Sequence, residues 1–219
     1  MHIDRTRERN DLGELASLAI FSLSLPHTLA YELDALCVFS GQGEDIRVLQ
    51  PMRQYWENKK TKNRFFLVAG HNQKEKTWKE LTLENLKKKP FNIKRLEGVH
   101  VEPRFVHTKD QAEWTVKKIE ELGIKSCGIV ATPFHLLRAY MTTLASMRTR
   151  NIQIPLIPIP VYLSPENIVP ESQLEAWDMI QGEAERILAY QKKGDVISYS
   201  EFRKYMNWLW QEPLVKKFL

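Results

Sequence analysis

Apolar positions along this chain follow two rhythms. Short, mostly apolar runs, Leu33–Ser40, Arg64–Ala69, Val99–Glu102 and Cys127–Ala131, are strand-length, and all but the third run straight into Gly41, Gly70 or Thr132. Between them lie longer segments with helical spacing. Asp11–Leu25 places Leu12, Leu15, Leu18–Ala19 and Ser22–Leu23 on one face, with Asp11 as N-cap, Glu14 completing a capping box and Pro26 as terminator. The ten residues before it are charged and predicted loose. Asp45–Lys60 reads as helical, with Pro51 either kinking the helix or starting a second one, and Gln73–Lys89 as a polar helix broken by Pro90. Thr108 is the expected cap of a helix running to Leu122, with Ala112, Val116 and Ile119 inward and Gly123 closing it. Thr132 is the expected cap of the next helix, which has Pro133 at its first position.

The last third of the chain is less regular. Ile152–Tyr162 carries prolines at 155, 158 and 160, which restricts it to an edge strand or an extended arm. Pro165 and Pro170 prolong the irregularity. A long helix is predicted over Glu171–Lys192, with Leu174, Trp177–Met179, Ala184 and Ile187–Leu188 inward. A final helix follows, capped by Ser198 or Ser200 and reaching Trp210. Strands alternating with helices imply right-handed parallel crossovers. The predicted fold is therefore α/β: a Rossmann-like three-layer α/β/α arrangement with a mostly parallel sheet and extra N- and C-terminal helices. Its 219 residues fit a single domain.

Composition changes this picture little. The net charge is +5 and the pI about 9.1, but basic residues are mixed with acids. No basic stripe interleaved with aromatics is visible, so nucleic acid is not an expected partner. Lys87–Lys89 reads as a solvated helix end. Cys37 and Cys127 fall inside predicted strands and read as buried free thiols, which suits a cytoplasmic location. Leu15–Leu25 is too short to span a bilayer and lacks a signal-peptide cleavage pattern, so no transmembrane segment is expected.

Chemistry-bearing residues gather where predicted strands end. Gly41-Gln42-Gly43, Gly70-His71-Asn72 and Thr132-Pro133-Phe134-His135 share one rim, and Thr108, Asp110 and Gln111 extend it. Glycine turns feeding helix starts present free amides to an anion. Arg138 lies one turn past His135 and would grip an anion, while His135, helped by Asp110 or Glu75, is the expected acid–base group. Ile46 occupies the third glycine position of a dinucleotide fingerprint, so that motif is incomplete. The chain has neither a Gly-x-Ser-x-Gly elbow nor a Gly-Lys-Ser/Thr phosphate loop. His71, His107 and His135 match no zinc spacing, and no metal is expected.

Taken together, these motifs resemble the YdcF-like family, a domain-of-unknown-function family that includes SanA and ElyC. Leu36-Cys-Val-Phe-Ser-Gly-Gln-Gly43 is similar to the family's first strand and turn, with Arg47 or Arg53 as its helix arginine. Val68-Ala-Gly-His-Asn72 is similar to its second turn, which an acidic residue follows (Glu75, Glu80 or Glu84 here). Gly98-Val99 and Thr108-Lys-Asp-Gln111 parallel the next elements. Thr132-Pro-Phe-His-Leu-Leu-Arg-Ala139 is the nearest match, and Pro158–Val161 resembles the exit strand. The likeness covers about residues 33–162. Ala69 and His71 replace a serine and a glycine, and Asp110-Gln111 replaces Glu-Asn.

The resemblance implies a Rossmann-like fold and a pocket for an anionic or nucleotide-type small molecule. Its residues would be Gly41, Gln42, Gly43, Arg47, Gly70, His71, Asn72, Glu75, Thr108, Gln111, Thr132, His135 and Arg138. S-adenosylmethionine is the ligand it suggests. The alternative is a non-catalytic regulatory or partner-binding module linked to cell-envelope biogenesis.

Overall fold

The runs Ala35–Phe39 (β1), Phe65–His71 (β2), Val99–Arg104 (β3), Cys127–Ala131 (β4) and Leu156–Pro160 (β5) form one five-stranded sheet in the computed structural model, which describes residues 5–218. Side chains of residues 5–12 and of Leu18 lie outside the described set. Every strand pairing is parallel, in the order β3-β2-β1-β4-β5. β1 and β4 are buried at each position, as central strands covered on both faces must be.

The helices are Arg5–Leu23 (α1), Ile46–Pro51 (α2), Leu83–Lys87 (α3), Thr108–Glu121 (α4), Pro133–Thr149 (α5), Met179–Lys193 (α6), Tyr199–Leu209 (α7) and Pro213–Lys216 (α8). Right-handed crossovers put α2 and α3 on one face of the sheet, and α4 and α5, which pack on each other, on the opposite face. α6 packs on α5, and α1 lies against α5 and β5. The three-layer α/β/α fold, with added terminal helices, is as the sequence pattern predicts. No helix among the described residues is long and apolar enough to cross a membrane.

Proline shapes two elements. Pro51 has no amide hydrogen to donate, and the helix after it widens into a π-turn over Met52–Trp56, with Glu57 N bonding Met52 O at 2.9 Å. In β5, Pro155 O accepts from Cys127 N and Val161 N donates to Ala131 O. Strand alternation then turns the backbone of Pro158 and Pro160 away from β4, toward the open edge.

Several expectations are corrected. α1 starts by Arg5, so Asp11 lies within the helix instead of capping it, and residues 5–10 are helical; Met1–Asp4 fall outside the described residues. Leu15 is buried, but Leu23 is half exposed, and the side chains of Leu12 and Leu18 are outside the description. The Gln73–Lys89 segment is helical only over α3. Side-chain acceptors claim its earlier amides: Glu171 takes Lys76 N and Thr77 N, and His71 takes Lys79 N. The helix expected from Glu171 starts only at Met179. Residues before it form an irregular arm with a single antiparallel bridge, Ile168 to Glu175. Leu174 and Trp177 on that arm are exposed, whereas Met179 and Ile187 are buried. Ser198, with Glu201, caps α7 by a capping box.

Gly70 packs where no side chain fits. A Cβ there would stand 2.1 Å from the Pro103 carbonyl oxygen of β3. Gly70→Ala is therefore expected to cost about 1–3 kcal/mol, as overpacking does. A lower urea midpoint would show this; an unchanged midpoint would contradict the backbone approach.

Candidate functional site

Strand order reverses between β1, whose chain continues to β2, and β4, whose chain continues to β5. The loops leaving the two strands diverge there, which opens a crevice at their C-terminal ends. A cavity of about 230 Å3 occupies it, lined by Ser40, Gly41 and Gln42 after β1 and by His71, Asn72 and Glu75 around the end of β2. α4 contributes Thr108 and Gln111, α5 contributes Phe134, His135 and Arg138, and α6 contributes Glu183, Arg186 and Tyr190.

The β1 turn is built from unusual backbone. Gln42 has φ of 60°, a left-handed conformation that costs a side-chain-bearing residue about 1–2 kcal/mol. Its neighbours explain why it is held. Gln42 N donates to Glu75 Oε2 at 2.9 Å, and Gln42 O accepts from Glu171 N at 3.2 Å. Gly43, with φ of 73°, faces away from the cavity; a Cβ there would meet Thr77 at 2.8 Å and Pro170 at 3.0 Å. The turn is thus clamped between the Glu75 loop and the arm.

Glu75 is the acidic residue that the second turn delivers. Its Oε2 accepts from both Gln42 N and His71 Nδ1, the latter at 2.8 Å. His71 Nε2 accepts from Lys79 N at 3.3 Å, so the imidazole is neutral with its proton on Nδ1. Glu75 Oε1 takes no hydrogen bond among the described residues and faces the cavity. Glu80 instead pairs with Arg104, and Glu84 with Lys87, both outside the site.

Opposite Glu75 stands a buried ionic cluster. Arg138 Nε and Nη2 bind Glu183 Oε2 and Oε1 at 2.5 and 3.1 Å, a bidentate pair. Arg138 Nη1 donates to Thr108 Oγ1 at 2.8 Å, and Arg186 Nη1 donates to Glu183 Oε1 at 2.6 Å. Burial opposes charge on Glu183, but the Arg138 guanidinium, which donates to both of its oxygens, outweighs burial and holds the carboxyl well below the usual range. Arg138 Nη2 also lies 3.0 Å from His135 Nδ1. Guanidinium can only donate, so His135 Nδ1 accepts from it, the ring proton sits on Nε2, and the 3.3 Å approach of Nδ1 to Glu183 Oε2 carries no hydrogen bond. Burial first, and the Arg138 charge second, depress His135 to about 4.

This geometry revises several expected roles. His135 is neutral near pH 7, with Nδ1 held by Arg138. Asp110 does not line the cavity; its carboxylate accepts from Val106 N and His107 N and caps α4, with His107 at the N-cap and Thr108 inside the helix. Thr132 makes no cap bond, and its buried hydroxyl has no partner among the described residues. Gly43, Gly70 and Thr132 shape the site without lining it. Gln111 spends its amide nitrogen on carbonyls at the ends of β1 and β2, including Ser40 O at 3.1 Å.

Arg47 is buried and lines the cavity, whereas Arg53 reaches the Pro90 carbonyl on the surface. Arg47 is not a free anion grip. Its guanidinium binds Glu44 at 2.5–2.7 Å and Phe39 O at 3.3 Å.

Glu183 is the main residue that sequence reasoning missed. Met179, Glu183 and Ile187 recur every four residues on one buried helix face, and an acid in that series was the available signal. Arg186, Glu44 and Ser40 were also passed over. Among the described residues no group of three or more His, Cys, Asp or Glu is placed to hold a metal. Both cysteines are buried thiols; burial pushes Cys37 up to about 12 and Cys127 well above its ordinary value. No protein-family model matches the chain, and no curated protein matches it either.

His135 gives the site a pH signature. Its folded pKa lies below the ordinary 6.5, so the unfolded chain binds the extra proton first. Stability from this residue is complete above pH 6.5 and falls as pH drops toward 4, by up to about 3 kcal/mol. Denaturation midpoints between pH 7 and 5 should fall in the parent and fall less steeply in His135→Gln. Parallel slopes would contradict a neutral buried His135.

Proposed function

We propose that the chain is a YdcF-like protein that binds an anionic or nucleotide-type small molecule in this crevice, in the cytoplasm. S-adenosylmethionine is the first ligand to test. The observation that carries the reading is the position of the polar cavity at the reversal of strand order, where parallel α/β sheets hold their ligands. Ser40, Gln42, Asn72 and Thr108 supply neutral polar contacts, Phe134 and Tyr190 supply apolar and ring surface, and Arg186 supplies a half-exposed cation. Glu75, oriented by His71, is the group that would accept a proton or a hydrogen bond from the ligand.

A second reading has one observation in its favour. Ile168, Leu174, Trp177 and Ile180 are exposed along and just after the arm, a suitable surface for a regulatory protein partner of the kind linked to envelope biogenesis. Trp208 and Trp210 pack partly against the core and add nothing to it.

Thermal shift with S-adenosylmethionine, nucleotides and sugar nucleotides tests the first reading. A ligand at 100 times its Kd adds about 2.7 kcal/mol, which is readily seen. Removing Arg138 alone would leave the buried Glu183 with only the half-exposed Arg186 as its partner, so the pair is removed together as Arg138→Gln/Glu183→Gln. The double variant is expected to fold and to lose the hit. An undiminished hit would place the ligand elsewhere, and no hit across the panel would favour the partner-binding reading.

A further inference from the structure

The two walls of the cavity carry opposite net charge. On the α5–α6 wall, Arg138 and Arg186 share the single carboxylate of Glu183, and His135 is neutral, which leaves one positive charge in excess. On the β1–β2 wall, Glu75 faces only the neutral His71 ring and the Gln42 amide, which leaves one negative charge in excess. Arg47 stands near Gly41 as well, but Glu44 offsets its charge at 2.5 Å. No other cavity-lining residue is an Asp, Glu, Lys or Arg, and His107, at the rim, lies 3.2 Å from Asp110 Oδ2.

We infer that the ligand is zwitterionic, a small molecule with a cationic centre bound at Glu75 Oε1 and an anionic group bound at the Arg138–Arg186 wall. This rests on the crevice being a ligand site, and it narrows the ligand class. Glu75 Oε1 is the unused acceptor, while Oε2 is already committed to two donors. A purely anionic ligand large enough to touch both walls would set like charges together at Glu75 and lose there what it gains at the arginines. Arg186 is half exposed, so its guanidinium can turn from Glu183 to a ligand anion at little cost.

Three adenine compounds separate charge from shape: S-adenosylmethionine (cation and zwitterionic tail), methylthioadenosine (uncharged) and AMP (anion only). Calorimetry with the full chain is expected to rank S-adenosylmethionine at least about tenfold tighter than the other two, as charged hydrogen bonds require. Glu75→Gln keeps the acceptor for Gln42 N and His71 and removes the charge. It should weaken S-adenosylmethionine about tenfold and leave AMP unchanged or tighter. Arg186→Gln, at a half-exposed position, should weaken both charged compounds while the fold stays intact. AMP binding as tightly as S-adenosylmethionine, with Glu75→Gln neutral for both, would overturn the zwitterion assignment and leave the nucleotide-site reading standing. No binding by any of the three would overturn both.

Discussion

The reversal of strand order between β1 and β4 is the constraint from which the site follows. A parallel sheet whose chain leaves its centre in two directions cannot close its C-terminal edge there with backbone alone. The loops after β1 and β4 diverge, and the gap must be filled by side chains, water or a ligand. In this chain the walls of the gap are polar, and most of their charged groups are already paired. Among the described residues Glu75 Oε1 is a carboxylate oxygen that takes no hydrogen bond, and Arg186 is half exposed beside Glu183.

Filling such a gap with charge is expensive unless each charge is matched. Moving an ion out of water costs several kcal/mol, which a well-aligned partner offsets. The chain does this twice, with Arg47–Glu44 beneath the β1 turn and Arg138–Glu183 between α5 and α6. The second pair also determines tertiary structure. It fixes α6 on α5 and, through Thr108, ties α5 to the first turn of α4. The arm performs a similar task on the far side, where Glu171 gathers the amides of residues 76 and 77 and its own amide holds the Gln42 carbonyl. Neither buried pair is strong support for stability by itself. Their consequence is positional: they leave one wall of the cavity a charge richer in cations and the other a charge richer in anions.

The sheet and its helices were legible because they are local patterns. Cys127–Ala131 running into Pro133, or Ala112, Val116 and Ile119 at helical spacing, need no knowledge of the rest of the chain. What could not be read was pairing across distance. Arg138 looks like a free cation in sequence, and only the packing of α6 shows that Glu183, 45 residues later, occupies it. Thr108 and Asp110 look like a cap and a site acid; a one-residue shift of the helix start exchanges those roles. The Gln73–Thr82 segment had helical composition, but Glu171, nearly a hundred residues away, takes two of its amides. Of the expected site residues, Gly41, Gln42, Arg47, His71, Asn72, Glu75, Thr108, Gln111, His135 and Arg138 do meet at one cavity. Their type was visible in the sequence, and their charge state was not.

Nitrogen-15 NMR of histidine side chains tests the central claim most directly, because His71 and His135 stand on opposite walls of the cavity. The free protein should show His71 protonated on Nδ1 and His135 on Nε2, both neutral at pH 7. Addition of S-adenosylmethionine should move both rings together while His27 and His100, away from the crevice, stay in place. Inverted tautomers, or a bound ligand that leaves both rings unmoved, would contradict the account.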